Sequence, residues 1–357
     1  MELNEKIKDE CTHILLDYES ILNFLKTCID NKLDYASYMG IMPFLCMYVV
    51  EGYKFLSKNA IIKEDSIDKE FLSKIEKCRA SGVKLYSGFN QKTFNSINEF
   101  NRAEYIKFFK KAFPKLEPKI FWFVDNYFVC FVDKLLVGNY HLYSKKVLNL
   151  EIGSYIDDIT PRVYEFSYNL VSFISKIIFG IDKNFKPKCL KNVNFEFKYS
   201  DLNMAYNIRN FSIKNNPPIL MSFIDILSIL NSYRKIFCNI NQDFILDIKM
   251  KYIILFYSII SIKDVVNYCT ANNIDIHINN ELIEYVINID SKYLKNNLRK
   301  YCMHYDFPDN NWVSNPFTNE FESTFNISIN DISIELNNVI DELSIMLQNY
   351  LIVENFN

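Results

Sequence analysis

The chain has 357 residues, a length that suggests two domains, and a formal net charge of −3 with a pI of about 5.9. Hydrophobic residues make up 49% and charged residues 23%, which indicates a folded chain, and the acidic balance excludes a global electrostatic basis for binding nucleic acid. Seven glycines and nine prolines are few, which disfavours Gly-rich sandwiches and doubly wound nucleotide-binding folds. The composition therefore predicts an all-α protein, mainly helical with few short strands.

Common cofactor and metal motifs are missing from the sequence. The nine cysteines are scattered, without a CxxC pair, and none of the four histidines pairs with another histidine or cysteine at a chelating spacing. There is no Gly-rich phosphate loop and no GxSxG. The longest charge-free run, Tyr35–Val50, is shorter than the ~18–20 residues that a membrane span requires. Without a recognisable signal peptide, these features predict a cytoplasmic protein with no cofactor, no metal and no membrane contact.

In the first 200 residues, the periodicity of apolar residues predicts helices over 11–28, 35–56, 96–113, 118–136 and 160–179. An alternating run, Val193–Tyr199, predicts a strand. The segment 180–200 contains Pro187 and several lysines, and we predict the domain boundary there. Residues 1–200 would form a mostly helical region that regulates the protein or recognises a trigger, and residues 201–357 a second helical domain.

The C-terminal region has four helical segments, over 217–238, 244–270, 280–305 and 329–352. Between the last two, residues 306–328, which include Pro308, show little pattern and predict a long loop without regular structure.

One segment of this region, Ser291–Tyr305, is basic and contains no acid. On a continuous helix, one face would carry Lys292, Lys295, Arg299 and Lys300, and the opposite, core-facing side Leu294, Leu298, Cys302 and Tyr305. Arginine is rare in this chain, with six against 34 lysines, and Arg299 is followed five residues later by His304. The same residues would also suit an ordinary helix C-terminus, where cations meet the negative end of the helix dipole.

The stretch Leu298–Tyr305, with Arg-x-x-x-x-His late in a helix of an all-helical C-terminal region, resembles the HEPN superfamily. Its members are helical bundles, and many are metal-independent endoribonucleases of toxin–antitoxin, abortive-infection and other antiviral systems. Where that family most often has Asn, Asp or His after the arginine, this chain has Lys300. Over residues 201–357 the resemblance implies a HEPN-like bundle that forms a homodimer, with two copies of the motif facing each other.

The resemblance implies that Arg299 and His304 are catalytic and that no cofactor is needed. A histidine with an ordinary pKa near ~6.5 can move a proton at neutral pH, and a guanidinium can hold a phosphate bidentately. The RNA 2′-hydroxyl would attack its own phosphate to give a 2′,3′-cyclic product. RNA contacts are implied for Lys292, Lys295, Lys300 and Tyr305, the last either stacking on a base or simply packing. The implied partners are RNA, a second copy, and an antitoxin or a phage-derived trigger.

Two other functions stay open from the sequence. The C-terminal bundle could have this fold without the chemistry and act as a dimerising module that binds a nucleotide or a partner. Alternatively, Glu196 and Lys198 lie two apart on the predicted strand with Asp182 upstream, a spacing used by two-metal nucleases of the PD-(D/E)xK type.

Overall fold

The computed structural model describes residues 5–62, 68–86, 114–115, 126–139, 156–183, 185, 193–203, 210–214, 216–241, 243–305 and 316–353. Helices predominate among these residues, and strands form one three-stranded sheet, which confirms the predicted all-α class with few short strands. None of the described helices combines the length and the apolar character needed to cross a bilayer.

The helices of the first half are α1 (Glu5–Asp30), α2 (Ala36–Met39), α3 (Met42–Lys58), α4 (Lys69–Tyr86) and α5 (Ile156–Ile181). The predicted helices over 11–28 and 160–179 are confirmed by α1 and α5. The predicted helix over 35–56 is interrupted by a turn at 40–41, with Pro43 near the start of α3, where a missing N–H costs little. The predicted helix over 96–113 lies outside the described residues.

The predicted helix over 118–136 is wrong where the structure describes it, because residues 126–139 form a β-hairpin. Strands β1 (Asn126–Val132) and β2 (Leu135–Asn139) pair antiparallel, and β1 also pairs with β3 (Phe197–Asn203), which gives the order β2-β1-β3. Asp133 and Lys134 both have positive φ, as a two-residue hairpin turn requires. Four consecutive residues of β1, 129–132, are buried, so the period-2 alternation that identifies a strand is absent.

Strand β3 begins later than predicted and extends further, since residues 193–196 have no regular structure. The sheet packs on helices: at Gly138 of β2, a Cβ would lie 2.2 Å from the carbonyl oxygen of Ala36 in α2, so only glycine fits there. The buried Asn231 donates from Nδ2 to the carbonyl oxygen of Leu136, at 3.1 Å, and so ties this sheet to the second half of the chain.

The second half contains α6 (Pro217–Ser232), a π-helical turn (Tyr233–Phe237), α7 (Cys238–Ile240), α8 (Phe244–Ala271), α9 (Asn280–Tyr293), α10 (Asn296–Met303), α11 (Pro316–Phe325) and α12 (Ile329–Leu351). The predicted helices over 217–238, 244–270 and 329–352 are thereby confirmed. Polar side chains cap their first turns: Asn216 accepts from the amide of Ile219, and Asp243 accepts from the amide of Leu246.

The single helix predicted over 280–305 is instead two helices, α9 and α10, separated at Leu294 and Lys295. The hydroxyl of the buried Tyr252 fills this break. It lies 3.2 Å from the carbonyl oxygen of Tyr293 and 2.9 Å from that of Lys295, and it accepts from the Lys295 amide at 2.8 Å. The tyrosine satisfies backbone groups that a continuous helix would have paired internally.

The structureless loop predicted over 306–328 is also wrong in part, because Pro316–Phe325 form α11; residues 306–315 lie outside the described residues. Pro316 starts this helix, and Phe317, Phe321 and Phe325 follow at a spacing of four. Their rings pack along one face, with centroids 4.6 and 6.1 Å apart. Proline at the first helical position and apolar residues four apart are both helix signals.

Helix α8 is central to the packing and contacts α1, α4, α6, α9, α10 and α12. Buried apolar residues from both sides of residue 200 belong to one continuous hydrophobic cluster. The division into regions 1–200 and 201–357 stays a prediction, but elements of both regions come together at the site described next.

Candidate functional site

A cleft of about 510 Å³ lies between α3, α10 and α11. Its lining, referred to below as the cleft, consists of Glu51, Lys54, Phe55, Lys58, Asn297, Lys300, Tyr301, His304, Tyr305 and Glu320. This volume falls within the range of about 300–1,000 Å³ that is usual for small-molecule sites.

Two helical faces supply most of this lining. Glu51, Lys54, Phe55 and Lys58 of α3 follow the spacing i, i+3, i+4, i+7, and residues 297, 300, 301 and 304 repeat the same spacing along α10 and its C-cap. Residues at this spacing lie on one side of a helix. The cleft is thus built from one face of a helix in the first half of the chain and one face of a helix in the second half.

His304 is the point where the two faces meet. It is the C-cap residue of α10, with φ −130° and ψ 154°, and its amide still donates to the carbonyl oxygen of Lys300. Its Nδ1 lies 2.7 Å from Oε2 of Glu51, and Oε1 of Glu51 accepts from Arg79 of α4 at 2.7 Å. Because a carboxylate only accepts, Nδ1 carries the proton and Nε2 remains the ring atom available for proton transfer.

The Glu51 carboxylate stays ionised in this setting. Burial alone would raise the pKa of Glu51, but the hydrogen bond from His304 and the positive charges of Arg79, His304 and Lys54 outweigh burial and lower it. The Glu51 side chain is 12% exposed, and that of His304 is 45% exposed. A charged carboxylate therefore orients a histidine that solvent can reach.

The next residue, Tyr305, points into the protein. It is 3% exposed, and its hydroxyl donates to Oδ2 of Asp17 at 2.5 Å; the same oxygen accepts from Lys249 at 2.6 Å. Burial, then the charge of Asp17 and the hydrogen bond to it, raise the pKa of Tyr305. The ring is occupied by packing and by the Lys249 ammonium 5.0 Å from its centroid, so stacking on a base would require Tyr305 to leave this network.

The other predicted catalytic residue, Arg299, is not among the residues that line the cleft. Its guanidinium lies over the ring of Phe256 in α8, 5.3 Å from the centroid. Its Nε is buried without a hydrogen-bond partner among the described residues. Burial raises the pKa of Tyr257, and the positive charges of Arg299 and Arg79 lower it. Both arginines therefore lie near Tyr257.

The predicted basic face is divided by the break between α9 and α10. Lys292 is on α9, where its ammonium donates to the hydroxyl of Tyr293 at 2.7 Å and to Glu335 at 3.0 Å. Lys295 is the N-cap residue of α10, and its ammonium donates to the carbonyl oxygen of Ser291 at 2.7 Å. Of the predicted RNA-binding lysines, Lys300 alone lines the cleft.

The residues of the alternative metal-dependent nuclease lie elsewhere. Glu196 precedes β3 at the edge of the sheet, and its carboxylate is 3.9 Å from the ammonium of Lys198, with side chains 80% and 70% exposed respectively. Across the part of the chain that the structure describes, no three His, Cys, Asp or Glu side chains cluster in a way that could hold a metal ion.

Sequence reasoning missed the contribution of α3 and α4, above all Glu51 and Arg79, and that of Glu320 on α11. One signal was present: Glu51, Lys54 and Lys58 share one helical face directly after a charge-free run. The pairing of Glu51 with His304 joins residues 253 positions apart and has no local signal.

Comparison with protein-family models, with curated proteins and with solved structures returns no match. The geometry of the cleft is therefore the basis for the function proposed next.

Proposed function

We propose that this protein is a metal-independent endoribonuclease in which His304 moves the proton of the reaction. The observation that carries the proposal is the hydrogen bond of 2.7 Å between Nδ1 of His304 and Glu51, in a cleft lined by Lys54, Lys58 and Lys300. A histidine held by a carboxylate is a common arrangement for general acid–base catalysis. Lys54 pairs with Glu51 at 3.6 Å, as Arg79 does at 2.7 Å, and the lysines of the lining outnumber its carboxylates Glu51 and Glu320, which favours an anionic substrate.

In the proposed reaction, Nε2 of His304 accepts the proton of an RNA 2′-hydroxyl. The 2′-oxygen attacks the adjacent phosphorus, the bond from phosphorus to the 5′-oxygen breaks, and water supplies the proton for the leaving oxygen. The products are a 2′,3′-cyclic phosphate and a 5′-hydroxyl. Glu51 orients the imidazole, and the lysine ammonium groups stabilise the negative charge that develops on the phosphate.

The test is cleavage of a mixed RNA pool in excess EDTA by the wild type and by His304→Ala. His277→Ala is the matched control, because His277 is 79% exposed and pairs with Asp275 outside the cleft. We expect cyclic-phosphate ends from the wild type and the control, and a rate at least about 10²-fold lower in His304→Ala. Cleavage that needs magnesium and survives in His304→Ala would contradict the proposal.

A second candidate function is supported by the position of Arg299. Because this arginine packs on Phe256 and does not line the cleft, the described residues do not supply the phosphate-binding guanidinium that the HEPN resemblance implies. A bundle without catalysis would bind a nucleotide or a partner at the same lysines. RNA that binds in the cleft but is not cleaved under any condition would favour this module over the enzyme.

The HEPN resemblance also implies a homodimer, a role in defence or toxin biology, and activation by an antitoxin or a phage-derived trigger; these stay predictions. The pairing of His304 with Glu51 lies within one chain and needs no second copy. Analytical ultracentrifugation, combined with cleavage assays over a range of concentrations, tests whether activity follows dimer formation. A rate per chain that is independent of the dimer fraction would contradict a site shared between two copies.

A further inference from the structure

Helix α11 contributes a second carboxylate, Glu320, to the lining of the cleft. Its Oε1 accepts from Nδ2 of Asn297 at 2.7 Å. Burial, then the charge of Glu320 and a hydrogen bond with it, raise the pKa of Tyr301, so the tyrosine hydroxyl lies beside this carboxylate. A carboxylate next to lysines that are proposed to bind phosphate favours a ligand group that donates hydrogen bonds.

We propose that Asn297, Tyr301 and Glu320 form a guanine-recognition subsite, an inference that rests on the proposed binding of RNA in this cleft. An ionised carboxylate has about four acceptor positions, and Asn297 occupies one of them, with the Tyr301 hydroxyl nearby. The positions that remain suit a ligand with two adjacent N–H donors. Among the four RNA bases, guanine has such a pair, N1–H beside the N2 amino group.

The other bases place an acceptor where the carboxylate needs a donor. Adenine has N1 beside its amino group, cytosine has N3 beside its amino group, and uracil has N3–H between two carbonyl oxygens. Each would bring a lone pair against the negative charge of Glu320, and an unpaired polar contact of this kind is costly in a partly buried site. Discrimination therefore comes from repulsion of three bases as well as attraction of one.

The remaining parts of the subsite fit the same ligand. Tyr301 lines the cleft together with Lys300 and His304, so its ring lies in the same cleft as the groups proposed to bind phosphate and to transfer the proton. An aromatic ring in such a position can stack on a base. A volume of about 510 Å³ accommodates a single nucleotide.

The experiment is calorimetric titration of the wild type with the 3′-monophosphates of guanosine, adenosine, cytidine, uridine and inosine. These ligands cannot be cleaved, so binding is measured independently of the proposed catalysis. We expect guanosine 3′-monophosphate to bind at least about tenfold more tightly than the adenosine, cytidine and uridine ligands, as loss of a charge-assisted hydrogen bond implies. Inosine, which keeps N1–H but lacks the amino group, should bind with intermediate affinity.

In Glu320→Gln, the amide keeps the shape but loses the charge and one acceptor, so we expect the preference for guanosine to fall to within about twofold. Glu284→Gln is the matched control, because it makes the same change at an exposed position of α9 outside the cleft. Equal affinity of the wild type for all five nucleotides overturns the inference, as does an unchanged preference in Glu320→Gln.

This experiment separates the inference from the proposed function. Selective binding of guanosine by a protein that cleaves no RNA would sustain the subsite and contradict the ribonuclease. Cleavage in EDTA that depends on His304 but shows no selectivity for guanosine would support the ribonuclease and contradict the guanine subsite.

Discussion

His304 and Tyr305 are neighbours in the chain, yet each contacts a carboxylate in a different environment. His304 pairs with Glu51 at the cleft, and Tyr305 donates to Asp17 in the interior. Both carboxylates belong to the first half of the chain, and both also accept from a cation, Arg79 in one case and Lys249 in the other. The two networks have similar composition and differ mainly in burial.

Burial gives the two networks different roles. Asp17 is 1% exposed and Lys249 is 4% exposed, so this pair has no access to solvent or substrate and acts as an internal anchor. The ring of His304 is 45% exposed and lines the cleft, so it can exchange a proton with a ligand. Tyr305 holds the backbone next to His304 in place, so the buried network positions the exposed one.

The largest effect is expected when the buried network loses one charge. Asp17→Asn leaves the Lys249 ammonium buried without its counter-ion, and we expect the free energy of unfolding to fall by about 3–5 kcal/mol. Urea denaturation measures this change. The double variant Asp17→Asn/Lys249→Met should recover much of the loss, because the unpaired charge is removed. A loss below about 1 kcal/mol in Asp17→Asn would refute the anchoring role.

A change at the exposed network should affect activity more than stability. Glu51→Gln keeps the side-chain volume but removes the charge that orients His304. We expect cleavage to slow by about 10²-fold, with a smaller loss of stability than in Asp17→Asn. Glu335→Gln is the control, since Glu335 pairs with Lys292 outside the cleft. Wild-type cleavage by Glu51→Gln would exclude the orienting role.

Low pH should lower the free energy of unfolding of the wild type through protonation of Glu51. Because the pKa of Glu51 is lowered from 4.5 in the folded protein, the unfolded state binds more protons in the window below pH 4.5. The stability that ionised Glu51 contributes is present above pH 4.5 and is lost as the pH falls through the folded pKa. We therefore expect the gap in unfolding free energy between wild type and Glu51→Gln to shrink from pH 6 to pH 3. A gap that stays constant in urea titrations would contradict this assignment.

The smallest effect is expected outside both networks. Lys292→Ala removes a cation that pairs with Glu335 on the surface, whereas Lys300→Ala removes one that lines the cleft. We expect Lys300→Ala to weaken RNA binding several-fold and to reduce the slope of log affinity against log salt by about 0.7, as one lost phosphate contact implies. Lys292→Ala should leave both quantities close to wild type. Equal losses in the two variants, measured by fluorescence anisotropy, would contradict the placement of the RNA path.

The helices could largely be predicted from the sequence because their apolar periodicity is local information. The errors arose where tertiary contacts override it. The β1–β2 hairpin is buried on both faces and therefore shows no alternation, and the break before α10 is stabilised by Tyr252, a residue more than 40 positions earlier. Helix α11 had a signal in Pro316 and its three phenylalanines, which the lack of pattern in the preceding segment obscured.

Only part of the candidate site could be predicted from the sequence. His304 could be found, because its spacing from Arg299 is local and resembles a known motif. Glu51 could not be assigned to it, because their contact joins two helices of different halves. Arg299 is a different case. Its spacing from His304 suggested that both residues belong to one site. Adjacent positions on a helix point in different directions, however, and Lys300 lines the cleft instead of Arg299.

The hydroxyl of Tyr252 also determines how much length variation this part of the chain tolerates. It fixes the backbone of Lys295, directly before α10. The number of residues after Lys295 therefore determines the direction in which each side chain of α10 points. One residue inserted between Lys295 and His304 would turn the rest of the face by about 100° and separate His304 from Glu51. Insertions of the same size can be absorbed in the largely exposed connection 272–279 that precedes α9. Natural homologues of this protein should therefore vary in length before α9 and keep a constant spacing from Lys295 to His304.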